Sequence, residues 1–166
     1  RNTEQEVYDQ VLEDAQREFD LLPDRWTAQK GRAGKWAAKA LESRAALYAA
    51  SIAKYGTVQL DGLVGIPSST ANDYFQISLD ASTQIINESG YSLFNKYPDP
   101  SENYYRLFLD ETEDETIFMK VWLPFEKGHS YDLYNTPYSY RVDWGSSMSP
   151  SKQLMDSYEA VSYTHL

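Results

Sequence analysis

The feature that most constrains the fold is an alanine-rich segment, residues 33–55. Its apolar side chains recur at spacings of three and four residues, which places them on one face of an α-helix. Small side chains let neighbouring backbones approach closely, so the segment predicts a helix packed between other helices. The predicted apolar stripe is Ala37, Leu41, Ala45, Tyr48, Ile52 and Tyr55, widened by Ala38, Ala46, Ala49, Ala50 and Ala53. The side predicted to face solvent carries Lys35, Lys39 and Glu42.

A helix is also predicted before this segment. Thr3 and Glu6 have the spacing of a capping box, in which each side chain accepts a hydrogen bond from the other residue's backbone N–H. Apolar side chains then recur with helical spacing until Pro23, which cannot continue a helix. The sequence therefore predicts a first helix that ends just before Pro23.

A third helix is predicted over residues 71–88, with Thr70 as its N-cap and Gly90 just beyond its end. Three helices joined by linkers of moderate length predict antiparallel hairpins, stacked as a bundle or as a short helical-repeat array.

The second half of the chain has a different pattern. Residues 116–122 are β-branched and aromatic and predict a short strand. Ser149 followed by Pro150 predicts the start of a last helix that includes Tyr158. Together these features predict a mainly α fold with an irregular, loop-rich aromatic region and one short strand.

The most unusual segment is residues 129–144, HSYDLYNTPYSYRVDW, which we call the aromatic stretch. Without a sustained helical or strand pattern, it is predicted to be mostly loop. Exposed rings there could stack on the apolar faces of sugars, while neighbouring polar groups bind sugar hydroxyls. The same rings could equally pack the loop onto a helical core. The candidate ligand-binding residues are Trp144, Tyr138, Tyr140, Tyr134, Asp143 and Arg141, whereas Trp26 and Trp36 are predicted to lie in the core.

Composition and motifs restrict the function. The net charge is −10, which disfavours electrostatic binding to nucleic acid or to an anionic membrane. The chain has no Cys and two His, so neither a thiolate nor a histidine-built metal site is expected, and no cofactor is predicted. It contains no phosphate-binding loop, nucleophile elbow or HExxH motif. A non-catalytic protein is therefore predicted, although a carboxylate pair for glycoside hydrolysis stays open among 25 acidic residues.

Five segments in order resemble the central part of the SusD/RagB family of nutrient-binding outer-membrane lipoproteins of Bacteroidetes. The most specific is GRAGKWAAKALESRAALYAASIAKYG, residues 31–56, which resembles the family's Gly-Arg-Ala helix. The other segments are EVYDQVLEDAQREFDLLPD, ASTQIINESGYSLFNKY, DETIFMKVW and MSPSKQLMDSYE.

The resemblance implies tetratricopeptide-like helix pairs that support a glycan-binding region. It implies binding of oligosaccharide without cleavage and delivery to a SusC-like TonB-dependent transporter. It also implies a surface-exposed lipoprotein of the outer membrane, held only by a lipid anchor that this chain lacks. The family's binding residues follow no fixed motif, so the resemblance assigns none by position.

On this interpretation, residues 1–160 are the central part of a SusD/RagB-like glycan-binding domain within a longer protein. Residues 161–166 resemble a translated sequencing adapter and are interpreted as a non-native tail. Two alternatives to glycan binding stay open from the residues. One is a helical-repeat module that docks a protein or peptide, and the other is a piece of a glycoside hydrolase.

Overall fold

The chain is mainly helical in the computed structural model, as the sequence predicts. It divides into two compact units, Arg1–Val121 and Trp122–Leu166. The division of the sequence into residues 1–160 and 161–166 stays a prediction. The structure describes residues 1–26, 31–109, 115–122, 128, 130–136, 138–140 and 147–157.

The described residues of the first unit form four α-helices and one short 3₁₀-helix. The three predicted helices are confirmed, whereas α4 was not predicted, although Asp99 caps it and Pro100 occupies its first turn. The capping box is also confirmed, since Glu6 N donates to Thr3 Oγ1 at 3.2 Å and Thr3 N donates to a Glu6 carboxylate oxygen at 2.7 Å. The helices are α1 (Glu4–Leu21), α2 (Lys35–Tyr55), a 3₁₀-helix (Ser68–Thr70), α3 (Ala71–Glu88) and α4 (Pro100–Leu107).

Thr70 is at the N-cap position of α3, as predicted, but it does not cap the helix with its side chain. Thr70 is the last residue of the 3₁₀-helix, and its hydroxyl donates to the backbone oxygen of Pro67 at 2.8 Å. Its side chain makes no capping hydrogen bond to α3, because the chain enters α3 directly from the preceding helical turn.

Helix α2 lies between α1 and α3, and the predicted antiparallel hairpins are confirmed. The end of α1 contacts the start of α2, where the rings of Phe19 and Trp36 are 5.3 Å apart and edge to face. On the other side, the Ser43 hydroxyl of α2 lies 2.6 Å from the Ser82 hydroxyl of α3.

The buried face of α2 is formed by alanine rather than by the predicted stripe. Ala46, Ala49 and Ala50 are fully buried, and they join Leu12 of α1 and Tyr74 of α3 in one core cluster. Leu41, Tyr48 and Tyr55 of the predicted stripe are instead exposed. The stripe prediction was wrong in its centre because helices that pack this closely require small side chains at the contact.

The predicted solvent-facing side of α2 is wrong as well. Lys39 is 4% exposed. Its Nζ lies 2.6 Å from Gln16 Oε1 and 2.6 Å from Glu42 Oε2, and 4.5 Å from the ring centre of Phe19. The contact with Glu42 is an ion pair that lacks hydrogen-bonding angles. A charged pair at the α1–α2 contact therefore replaces the expected exposed lysine.

The predicted short strand at residues 116–122 is wrong. These residues are described and none is in a strand. A strand needs a neighbour to accept and donate its backbone hydrogen bonds, and in the described part of the chain the only β-bridge pairs Gln59 with Val64.

The second unit contains short helical segments. Part of the aromatic stretch predicted as loop is helical, and the last helix begins two residues later than predicted. The reason is that the Ser151 hydroxyl, rather than Ser149, accepts from the first turn, from Leu154 N at 3.2 Å. Tyr158 lies outside the described residues. The segments are α5 (Tyr131–Asn135), a 3₁₀-helix (Tyr138–Tyr140) and α6 (Lys152–Ser157).

Candidate functional site

The aromatic stretch folds locally through two short helical turns. Tyr134 N donates to Ser130 O at 3.1 Å, and Asn135 Nδ2 donates to Tyr131 O at 2.8 Å, so α5 is held by its own backbone and by one side chain. Met148 N donates to Tyr134 O at 3.0 Å. This last bond fixes the backbone of α5 against the chain that leads into α6.

The stretch presents some of its rings to solvent. Tyr131 is 65% exposed and Tyr140 is 79% exposed, whereas Tyr134 is half-buried. No ring contact joins Tyr134 to Tyr140 among the described side chains. These two candidate rings therefore do not stack on each other.

The remaining candidates are not described to the same extent. Only the backbone of Tyr138 is described, and Arg141, Asp143 and Trp144 lie outside the described residues. Tyr131, which the sequence did not place among the candidates, has an exposed ring comparable to that of Tyr140. The signal that could have found it is the three-residue spacing of Tyr131 and Tyr134, which puts both on neighbouring positions of a helical turn.

A second candidate site lies in the first unit, in a cleft of about 160 Å³ that we call the Trp26 cleft. It forms where the loop after α1 meets two segments from later in the chain. Of the predicted ligand-binding residues whose side chains the structure describes, Tyr134 and Tyr140, neither lines it. Its lining includes Asp24, Arg25, Trp26, Gly31, Arg32 and Tyr91, together with residues 116–119.

Two guanidinium groups pack on aromatic rings in this cleft. The guanidinium carbon of Arg25 lies 4.0 Å from the ring centre of Tyr91, and that of Arg32 lies 4.4 Å from the ring centre of Trp26. Trp26 was predicted to lie in the core but is only half-buried, and its indole N–H donates to Ala33 O at 2.9 Å. Trp36 is in the core as predicted, at 3% exposure.

The acidic group of this cleft is already neutralised. The carboxylate of Asp24 forms an ion pair with Lys35. The hydrogen bond from Lys35 is the main cause that lowers the pKa of Asp24 below its usual range, and Arg25 adds to the effect. Asp24 is therefore ionised at neutral pH and engaged by lysine.

A second cleft, of about 460 Å³, lies beside α4 and is more apolar. Its polar groups hold the surrounding loop, since Glu115 accepts from Phe94 N at 2.7 Å and Asn103 accepts from Tyr97 N at 2.8 Å. Leu93 and Tyr104 are exposed at its edge. This cleft offers a ligand mainly apolar contact.

Searches for a metal site and for a membrane span give no candidate within the part of the chain that the structure describes. No group of three or more His, Asp or Glu side chains there could hold a metal ion. No described helix has the length and apolar character needed to cross a bilayer.

Comparison with protein-family models, with curated proteins and with solved structures finds no match to this chain. The SusD/RagB resemblance therefore stays a prediction from the sequence.

Proposed function

We propose that this protein binds oligosaccharide without cleaving it, through exposed rings of the aromatic stretch. The observation that carries the proposal is the exposure of Tyr131 and Tyr140 on two short helical turns. Large aromatic side chains are usually mostly buried, so an exposed ring is a candidate contact for a ligand. A flat ring with a polar edge suits a sugar, whose C–H faces are apolar and whose rim carries hydroxyls.

The further steps of the proposed function come from the resemblance. We propose that the bound glycan is delivered to a SusC-like TonB-dependent transporter. We also propose that the complete protein is a surface-exposed lipoprotein of the outer membrane. In the described residues, aromatic exposure supports the binding step, whereas delivery and location rest on the five resembling segments.

A second candidate function is docking of a protein or peptide on α2. It is favoured by the exposure of Leu41, Leu47, Tyr48 and Tyr55 on that helix. An amphipathic helix could lie against such a face through residues spaced by three and four. Glycan binding is preferred because the exposed side chains of the aromatic stretch are tyrosines, whose rings and hydroxyls both suit a sugar.

Affinity electrophoresis of the full chain against a panel of neutral polysaccharides tests the proposal. We expect retardation by at least one of them and no release of new reducing ends. Retardation with release of reducing ends would favour the glycoside hydrolase alternative. Absence of retardation across the panel, together with capture of amphipathic peptides, would favour docking on α2.

A further inference from the structure

The space in the Trp26 cleft matches one small ring. The cleft has a volume of about 160 Å³, and a cavity of about 150 Å³ is large enough for benzene. Its described lining lies in the first unit and includes no described residue of the aromatic stretch. The cleft is therefore a second candidate site.

The cleft concentrates positive charge in an acidic chain. Arg25 and Arg32 both line it, although the net charge of the protein is −10. Stacking on an aromatic ring uses the flat face of a guanidinium, while its five N–H donors lie in its plane. Among the described residues no carboxylate forms an ion pair with Arg25, and the adjacent Asp24 is bound to Lys35. Arg25 therefore has donors available for a carboxylate from outside.

The walls of the cleft are held in place before any ligand binds. The indole of Trp26 is fixed by its hydrogen bond to Ala33 O. Gly31 has a backbone φ of +85°, and a Cβ built there would lie 2.8 Å from Val121 Cγ2. The absence of a side chain at Gly31 thus lets Val121 come close to the loop. Thr116 adds a hydroxyl to the lining of the cleft.

We propose that the Trp26 cleft binds a six-membered sugar ring that carries one carboxylate, a hexuronate. The carboxylate accepts hydrogen bonds from Arg25, and polar groups of the lining bind the hydroxyls. Guanidinium is the preferred partner of a carboxylate because two of its N–H groups match two carboxylate oxygens. This site goes beyond the proposed function, since it recognises charge and does not involve Tyr131 or Tyr140.

Calorimetric titration of the full chain with sodium glucuronate at low ionic strength tests the proposal, with glucose and benzoate titrated in parallel. We expect saturable binding of glucuronate that is about tenfold or more tighter than binding of glucose, from hydrogen bonds to a charged group. Added salt should weaken it. Tighter binding of benzoate than of glucuronate would overturn the sugar assignment, and no binding of glucuronate, or equal binding of glucuronate and glucose, would overturn the proposal.

Arg25→Gln should weaken glucuronate binding by about tenfold or more. The matched control is Arg44→Gln, which removes the same charge from another arginine near a tyrosine ring, 5.8 Å from the ring centre of Tyr48 and outside the cleft. Equal losses of glucuronate affinity in the two variants would mean that binding depends only on the net charge of the protein, and would overturn the proposed site.

An NMR titration of the unmodified protein keeps the proposal testable if Arg25→Gln does not fold. Glucuronate should shift the indole N–H resonance of Trp26, assigned with Trp26→Phe, and leave the backbone N–H resonances of the buried Ala46, Ala49 and Ala50 in place. An unchanged Trp26 resonance would overturn the proposal. Loss of polysaccharide binding at the aromatic stretch would not affect this result, so the two functions fail separately.

Discussion

In the first unit the buried helix contacts are made by alanine, whereas in the second unit tyrosines are exposed on short helical turns. Ala46, Ala49 and Ala50 of α2 have no exposed surface. Tyr131 and Tyr140 keep most of theirs. On α2, the side chains buried against the neighbouring helices are thus mostly small, while large ones such as Leu41 and Tyr55 are exposed.

This difference separates what holds the fold from what is available to a ligand. Burial of small side chains brings α1, α2 and α3 close together, so stability depends on steric fit at a few positions. An exposed ring contributes little to stability, and its area is free to be buried by a ligand. Substitution of a buried alanine should therefore lower stability, whereas substitution of an exposed tyrosine of the aromatic stretch should lower binding and leave stability nearly unchanged.

The largest loss of stability is expected from Lys39→Met. The substitution leaves Glu42 as a buried charge without its ion-pair partner, and breaking a buried pair from one side costs about 3–5 kcal/mol. Urea denaturation would measure it, with exposed Lys54→Met as the matched control. The double variant with Glu42→Leu should recover most of the loss. A loss no larger than that of the control would mean that Lys39 lies in solvent, as its sequence pattern predicted.

A smaller loss is expected from Gly65→Ala, with Gly62→Ala as a control of the same backbone conformation. Both glycines have a φ of +88°, which costs a side-chain-bearing residue about 1–2 kcal/mol. A Cβ at Gly62 meets no atom within 4 Å, whereas one at Gly65 would lie 2.5 Å from the backbone oxygen of Thr57. We expect Gly65→Ala to lose ~1–3 kcal/mol more than Gly62→Ala in urea denaturation. Equal losses would contradict the close approach at Gly65.

Ala49→Leu tests the alanine contact directly. Ala49 is fully buried between the helices, and a larger side chain there should lower the free energy of unfolding by ~1–3 kcal/mol. Ala40→Leu on the same helix, at a half-buried position, is the matched control and should lose less. An unchanged denaturation midpoint for Ala49→Leu would show that this face of α2 is open.

The hydrogen bond between Tyr74 of α3 and Asp9 of α1 should contribute less to stability at high pH. Burial first, and then the hydrogen bond from the Tyr74 hydroxyl to Asp9 Oδ1 at 2.5 Å, raise the pKa of Tyr74 to about 12. Unfolded tyrosine ionises near pH ~10. Between these values the unfolded state releases a proton that the folded state keeps. The contribution of Tyr74 to the free energy of unfolding is therefore fully present below pH ~10 and is lost as the pH rises toward about 12.

In Tyr74→Phe the free energy of unfolding should decrease less with rising pH. At neutral pH it should be lower by about 1 kcal/mol, the usual contribution of one hydrogen bond. Urea denaturation of both proteins from neutral pH to pH ~11.5 spans most of this interval. Burial also raises the pKa of Tyr8, but Tyr8 is present in both proteins and cancels in the comparison. Identical pH dependence of the two proteins would contradict the assignment to Tyr74.

The sequence predicted the helices of the first unit well where periodicity and capping agreed. Residues 71–88 were predicted as a helix, and the structure has Ala71–Glu88. The buried face of α2 could not be predicted from hydrophobicity, which favours Leu41 and Tyr48 over alanine, because the choice depends on how close the neighbouring helices lie. Strand formation at residues 116–122 depended on a partner that a single segment does not reveal.

The candidate sites were less predictable than the helices. The aromatic stretch was recognisable from composition, but the exposure of each ring depends on local turns, as the difference between Tyr140 and Tyr134 illustrates. The Trp26 cleft joins residues separated by more than sixty positions, such as Arg25 and Tyr91. No spacing rule within one element brings such residues together, so a tertiary contact had to be known.

The most direct test of the central claim pairs melting temperature with polysaccharide retention for Tyr140→Ala and Tyr55→Ala in the full chain. Both tyrosines are highly exposed, one in the aromatic stretch and one on α2. Trp144→Ala and Tyr138→Ala extend the test to the remaining predicted rings. We expect Tyr140→Ala and Tyr55→Ala each to change the free energy of unfolding by no more than about 0.5 kcal/mol.

Tyr140→Ala should weaken retention several-fold, since one aromatic stacking contact contributes about 0.5–1.5 kcal/mol. Tyr55→Ala should leave retention unchanged. If Tyr140→Ala lowered the melting temperature and retention together, the aromatic stretch would be a packing element. If retention fell only in Tyr55→Ala, the glycan-binding surface would lie on α2 instead.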